Sequence, residues 1–186
     1  MKKMRTEIMM SLIVAGVLLF SSCGSDGKKG GEGSASVKNS VSQQSDGTIS
    51  LLLDKAECYS DANDPSNNTA EWNVLLKKAG RFDVWLSSAT RDTTDLRYAR
   101  KVMISFHDKR IEAMPACDKI VLDAKDVALP FFRADSFIGS LYLQDTGMVN
   151  VQVISDRIVP ASLNPGTASS GGDTKLLSII LTPTVR

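Results

Sequence analysis

Few residues in this chain could do chemistry: among its 186 residues are one histidine, three cysteines and two tryptophans. An exposed indole gives a flat apolar platform on which the C–H face of a pyranose ring stacks, while nearby amides and carboxylates bond the hydroxyls. Trp85 is the candidate platform, with Asn73 and Asp83 as its polar neighbours. A second candidate is the oxygen-rich run "YSDANDPSNNT", Tyr59 to Thr69. Hard cations want several oxygens at close range, so Glu57 with Asp61 or Asp64 could hold calcium. The spacing is not that of an EF-hand, because the sixth position from Asp61 is Ser66 and the twelfth is Trp72. Asp, Asn and Pro also build ordinary loops. In "RDTTDLRYAR", Arg91, Asp92, Asp95, Arg97, Tyr98 and Arg100 could recognise an acidic sugar or a protein, or form a solvated turn laced with ion pairs.

Catalytic readings find little support. His107, the lone histidine, lies at a strand end in "ISFHDKR", and no nucleophile-elbow sequence accompanies it. One histidine also excludes the usual His-based zinc sites. The loop "NPGTASSGGD", Asn164 to Asp173, lacks the lysine and the strand-to-helix setting of a phosphate-cradling loop. The expectation is a protein without catalytic residues.

The elements that must position Trp85 are strands. "TISLLL", "EWNVLLK", "RFDVWLS", "KVMISFH", "KIVLDA", "FIGSLYL", "MVNVQVIS" and "LLSIILT" are short, rich in branched and aromatic residues, and bounded by Gly, Asp, Asn or Pro. "RDTTDLRYARK" is the best candidate for a short helical turn. Many short strands with turn signals predict an all-β fold, an antiparallel β-sandwich or barrel. Within it, Trp72, Val74 and Leu76 alternate, as do Phe82, Val84 and Leu86. A hairpin with the loop Lys78-Ala79-Gly80 would pair Lys77 with Arg81 and bring both apolar rows to one face, with Gly80 at positive φ. That pairing makes Trp72 core and puts Trp85 on the other face, with Asp83 and Ser87 and across from Asn73.

The first residues read as a leader. Lys2, Lys3 and Arg5 precede an apolar stretch from Ile8 to Phe20, too short to span a bilayer, and "FSSC" follows at Phe20 to Cys23. This ending resembles the lipobox of bacterial lipoproteins. The resemblance implies a signal peptide over 1–22, cleavage before Cys23, and a Cys23 carrying several acyl chains (palmitate among them) that anchor the protein in a membrane of the cell envelope. The chain is formally +1, and the leader's Lys2, Lys3, Arg5 and Glu7 sum to +2, which leaves −1 after cleavage. Near-neutral charge argues against a nucleic-acid partner. Gly24 to Gly47 holds few large apolar residues and much Gly, Ser and Lys, so residues 23–47 read as the lipidated cysteine with a flexible tether, and residues 48–186 as one domain. In an oxidising envelope compartment Cys58 and Cys117 either form a disulfide or stay as two buried thiols.

"AEWNVLLKKAGRFDVWLSSAT", "KVMISFHDKRI", "FIGSLYLQDTGMVNVQVIS" and "KLLSIILTP" resemble the strands of galactose-binding-like jelly-roll modules, and Ala56-Glu57 in "DKAECYS" is similar to an "AE" pair in the opening strand. Members of that family are often non-catalytic carbohydrate-binding modules, many with a structural calcium near the first and last strands. The resemblance thus implies a glycan-binding lipoprotein facing the periplasm or the cell surface, with Glu57 at a calcium carboxylate position. Ser178 stands where an Asp is often found, which departs from the pattern. The alternative is an envelope scaffold or assembly lipoprotein whose sandwich contacts a protein partner.

Overall fold

The computed structural model describes residues 39–159 and 174–184. The residues read as leader and tether up to residue 38, Cys23 among them, and the loop from Asn164 to Asp173 lie outside the described residues. The domain is an all-β sandwich of eleven strands in two sheets. In chain order they are β1 (Ser40–Ser42), β2 (Ile49–Leu52), β3 (Glu57–Tyr59), β4 (Thr69–Leu76), β5 (Gly80–Thr90), β6 (Val102–Phe106), β7 (Lys109–Ala113), β8 (Lys119–Val121), β9 (Phe132–Leu143), β10 (Gly147–Ile154) and β11 (Lys175–Pro183). The first sheet runs β1-β4-β10-β6-β7, with β3 also on β4; the second runs β2-β11-β5-β9-β8. All described pairings are antiparallel except the parallel one between β1 and β4.

Period-two alternation is what builds the core. Trp72, Val74 and Leu76 of β4 and Phe82, Val84 and Leu86 of β5 are all buried, facing Ile104, Phe106, Val151, Val153, Ile179 and Leu181 in one cluster. The Trp72 indole N–H donates to the Leu52 carbonyl at 3.0 Å, which lets a polar ring atom sit inside the core.

The expected hairpin does not form. β4 and β5 belong to different sheets, so Lys77 to Ala79 is an arch crossing between layers, not a turn between paired strands. Both apolar rows do face the core, but from opposite sides of it. Gly80 therefore needs no positive φ; it opens β5 opposite Leu143, and positive φ among the described glycines falls at Gly47, Gly139 and Gly147.

Two further expectations change, and the open alternative for Cys58 and Cys117 is decided. The segment Asn39 to Gly47, assigned to the tether, packs on the sandwich: Ser40, Val41 and Ser42 pair with Asn73, Val74 and Leu75. Gln43 is buried, accepts from the Lys77 and Lys78 amides at 2.9 and 2.8 Å, and donates to the Gly47 carbonyl at 2.9 Å. The helical turn expected over Arg91 to Lys101 is instead an irregular connection. It is held by the Asp92 carboxylate, which accepts from the Thr94 hydroxyl and the amides of Thr94 and Asp95. No disulfide links Cys58 to Cys117. Cys58 is in β3 of the first sheet, and Cys117 precedes β8 of the second.

Candidate functional site

The outer face of the second sheet carries Trp85. Its rows follow from register. Ser50 of β2, Ile180 of β11, Trp85 of β5 and Phe137 of β9 stand side by side across four strands. The Trp85 and Phe137 ring centroids are 5.3 Å apart with planes tilted by 56°, so the pair makes a bent apolar surface. Trp85 is half-buried and Phe137 is 44% exposed, which leaves ring area open to a ligand.

One row along lie Thr182, Asp83 and Ser140. The Asp83 carboxylate accepts from the Ser140 hydroxyl at 2.5 Å and from the Thr184 hydroxyl at 3.1 Å, both through Oδ1. Its Oδ2 accepts no hydrogen bond among the described residues. Two hydroxyls thus fix the carboxylate and leave one oxygen for an outside donor. The next row pairs Arg81 with Tyr142, both exposed. On the other side of the aromatic row, the Ser87 hydroxyl donates to Asp135 at 2.7 Å, and Arg133 Nε donates to the same oxygen at 2.8 Å. This buried serine and aspartate have no histidine in their network. His107 sits in the turn between β6 and β7 of the first sheet.

The structure keeps Asp83 beside Trp85 and removes Asn73. With β4 in the first sheet, Asn73 pairs with Asn150 and Ser40, and its amide donates to Asn39 at 3.3 Å. The platform's other members come from β9 and from the chain beyond β11: Phe137, Ser140 and Thr184. A strict alternation back from Leu143 and Leu141 would turn Phe137 inward. A bulge on β9 opposite Val84 and Trp85, where Gly139 has φ +145°, buries the extra residue Ile138 and turns Phe137 out. The glycine in "FIGS" is the sequence signal for it.

The proposed cation ligands do not converge. Glu57 is exposed on β3, where its carboxylate accepts from Asn39. Asp61 accepts from the amides of Asn63 and Asp64 and from the Asn67 side chain, bonds that hold its carboxyl below the usual carboxylate range. Asp64 caps a short 3-10 turn through the Ser66 amide and pairs with Arg100 at 3.3 Å. Among the described residues, no three His, Cys, Asp or Glu side chains are grouped as a metal would need. The run is a self-bonded loop. The basic connection is similarly occupied, with Arg97 on Asp92 at 3.3 Å, Arg91 over the Phe131 ring at 4.8 Å, and Tyr98 buried against Ser88.

No protein-family model matches the chain, and no curated protein matches it. Solved structures do. An α-L-fucosidase from Vibrio sp. strain EJY3 matches over 78% of this chain at 19% identity with a TM-score of 0.59. A GH26-CBM35 β-(1,4)-mannanase of Podospora anserina matches over 76% at 12% identity and 0.45, and the insecticidal crystal protein Cry2Aa over 74% at 12% and 0.44. The chain spans 24%, 28% and 21% of those chains. The likeness to the fucosidase is one of fold: a sandwich of this architecture also occurs as one part of a longer protein.

Proposed function

We infer that this protein is a non-catalytic glycan-binding lipoprotein of the bacterial cell envelope, anchored through Cys23 and facing the periplasm or the cell surface. The observation that carries the binding reading is the pairing of half-open rings with a pre-oriented carboxylate on one sheet face. Trp85 and Phe137 supply stacking area, and Asp83 accepts from sugar hydroxyls one row away. A sheet face holds such groups on rigid strands, so little ordering entropy opposes binding. The anchoring half rests on the residues from Lys2 to Cys23 and is tested separately: a palmitate analogue fed to the cells labels the wild-type chain and leaves Cys23→Ser unlabelled.

The binding test is a glycan array probed with the purified full chain and with Trp85→Ala, each with calcium and with chelator. Wild type binds a defined set of glycans, and Trp85→Ala weakens that binding by tenfold or more while its circular dichroism stays that of the wild type. Equal binding by the variant, or no binding of any glycan by wild type, overturns the reading. Loss in chelator would show that a divalent cation takes part in the binding.

A further inference from the structure

At one end of the sandwich, two turns enclose a cleft of about 160 Å³. One is the two-residue turn His107-Asp108 between β6 and β7; the other is Gln144 to Thr146 between β9 and β10. Phe106, Leu143 and Val149 line it with apolar surface, and the turns bring an imidazole, amide, hydroxyl and carboxylate groups to it. His107 has φ 50°, a conformation that side chains with a Cβ seldom take, and its amide donates to the Asn150 carbonyl at 3.3 Å, tying the first turn to β10.

The cleft continues the platform. Tyr142, 57% exposed on the outer face of β9, stands in the row after Ser140 and also lines the cleft. From Phe137 to Tyr142 the strand advances about 15 Å. The rings, then Asp83 with Ser140, then Arg81 with Tyr142, form one path down β5 and β9 that ends at the cleft. The path is too long for a single sugar ring and suits a short chain. The cleft is smaller than the roughly 300–1,000 Å³ that drug-sized ligands occupy, so it suits one ring.

Charge narrows the class of that ring. The ionisable groups lining the cleft are His107, Asp108, Lys109, Asp145 and Tyr142. Lys109 pairs with Asp108 at 3.0 Å, while Asp145 has no ion pair among the described residues, so the lining leans negative. Inside the cleft an acidic sugar would meet the Asp145 carboxylate, while Arg81, opposite Tyr142, is a cation on the approach and not in the lining. A neutral ring offers hydroxyl donors to the Asp145 carboxylate and apolar C–H surface to Phe106 and Tyr142.

We propose that this cleft is the terminal subsite of the glycan face, taking the neutral sugar unit at a chain end, so that the protein selects chain ends over chain interiors. The proposal rests on the glycan-binding reading and extends it to a second set of residues. The test is calorimetry on the purified full chain with cellohexaose, mannohexaose and a galactohexaose. Each is used free, with its reducing end converted to the alditol, with its non-reducing end capped by a 4,6-acetal, and as the matching polysaccharide.

For the hexasaccharide that binds, blocking one of the two ends costs tenfold or more, the size of one lost charge-assisted hydrogen bond. In Asp145→Ala the free chain falls to the affinity of the blocked one. Gln144→Ala, in the same exposed turn, does so in part and guards against a folding defect in the first variant. A hexasaccharide whose uronic-acid counterpart binds equally well contradicts the charge argument. If free and blocked chains bind alike while Trp85→Ala still abolishes binding, the terminal subsite is wrong and the platform stands. If no hexasaccharide or polysaccharide binds, both fall together.

Discussion

Gln43→Ala should destabilise the domain by about 3 kcal/mol, because three hydrogen bonds of net worth near 1 kcal/mol each depend on this one amide. The side chain is 2% exposed; its oxygen accepts from the amides of Lys77 and Lys78, and its nitrogen donates to Gly47. Lys77 and Lys78 are exposed, so water can reach their freed N–H groups, which keeps the loss near the net value of each bond. For a domain of this size, that loss lowers the melting temperature by roughly 6–12 °C. Guanidinium and thermal unfolding of the purified full chain, followed by near-ultraviolet circular dichroism, measure it. Gln44→Ala is the control: its side chain makes only an exposed bond to Ser50 at 3.2 Å, and its change should stay within about 0.5 kcal/mol. The reasoning is that Asn39 to Gly47 is part of the sandwich and fastens the arch between β4 and β5. If Gln43→Ala and Gln44→Ala unfold alike, the segment is a tether after all.

Other perturbations probe separate links. Asp92, held down to about 2 by the Thr94 hydroxyl and then by the Thr94 and Asp95 amides, should titrate near that value in a carbon-detected NMR titration, and Thr94→Ala should move it up toward 3.8. Because the folded value is depressed, its contribution to stability is full above about pH 4 and is lost as pH falls through about 2; a wild-type midpoint at 3.8 would show the loop is not formed. Tyr98→Phe leaves the Ser88 hydroxyl, 2.7 Å away and buried, without that partner, and should cost about 1–2 kcal/mol; adding Ser88→Ala should cost less than the sum of the single changes, and strict additivity would contradict the bond. The Tyr98 phenol, held far above its ordinary range mainly by burial, should stay silent in an alkaline spectrophotometric titration until the fold opens. Gly139→Ala has space for its Cβ, but at φ +145° it should cost about 1–2 kcal/mol and weaken glycan binding by re-aiming Phe137; unchanged binding with lowered stability would separate the bulge from the site.

Alternation in the sequence tells which way a strand residue points, and no more than that. It separates Trp72, which is fully buried, from Trp85, which is not, and it identifies the apolar rows of β4 and β5 as core. It does not say which strand lies alongside. Two apolar rows joined by three residues can fold back as a hairpin in one sheet or cross as an arch between two, and both bury the same six side chains. The choice is made by residues distant in the chain. β5 pairs with β9 and β11, β4 with β10, β1 and β3, and Gln43 holds the arch amides from more than thirty residues away. None of those partners leaves a periodic trace near the arch, and Gln43 sits in a stretch whose composition is that of a linker.

The same ambiguity decides the proposed binding face. In a hairpin the ring of Trp85 would have Asn73 as a neighbour; across an arch Asn73 stands on the opposite outer surface, and the vacancy is filled from β9. Phe137 reaches it only because the bulge at Gly139 breaks the period that would have turned it inward. Asp83 stayed in place because it shares a strand with Trp85, two residues apart, a relation that no choice of partner can change. A surface site on a sheet is thus legible from sequence along one strand and illegible across strands. The single-strand part here is Trp85 and Asp83, and the direction of β5 carries it on through Arg81, opposite Tyr142, toward the cleft.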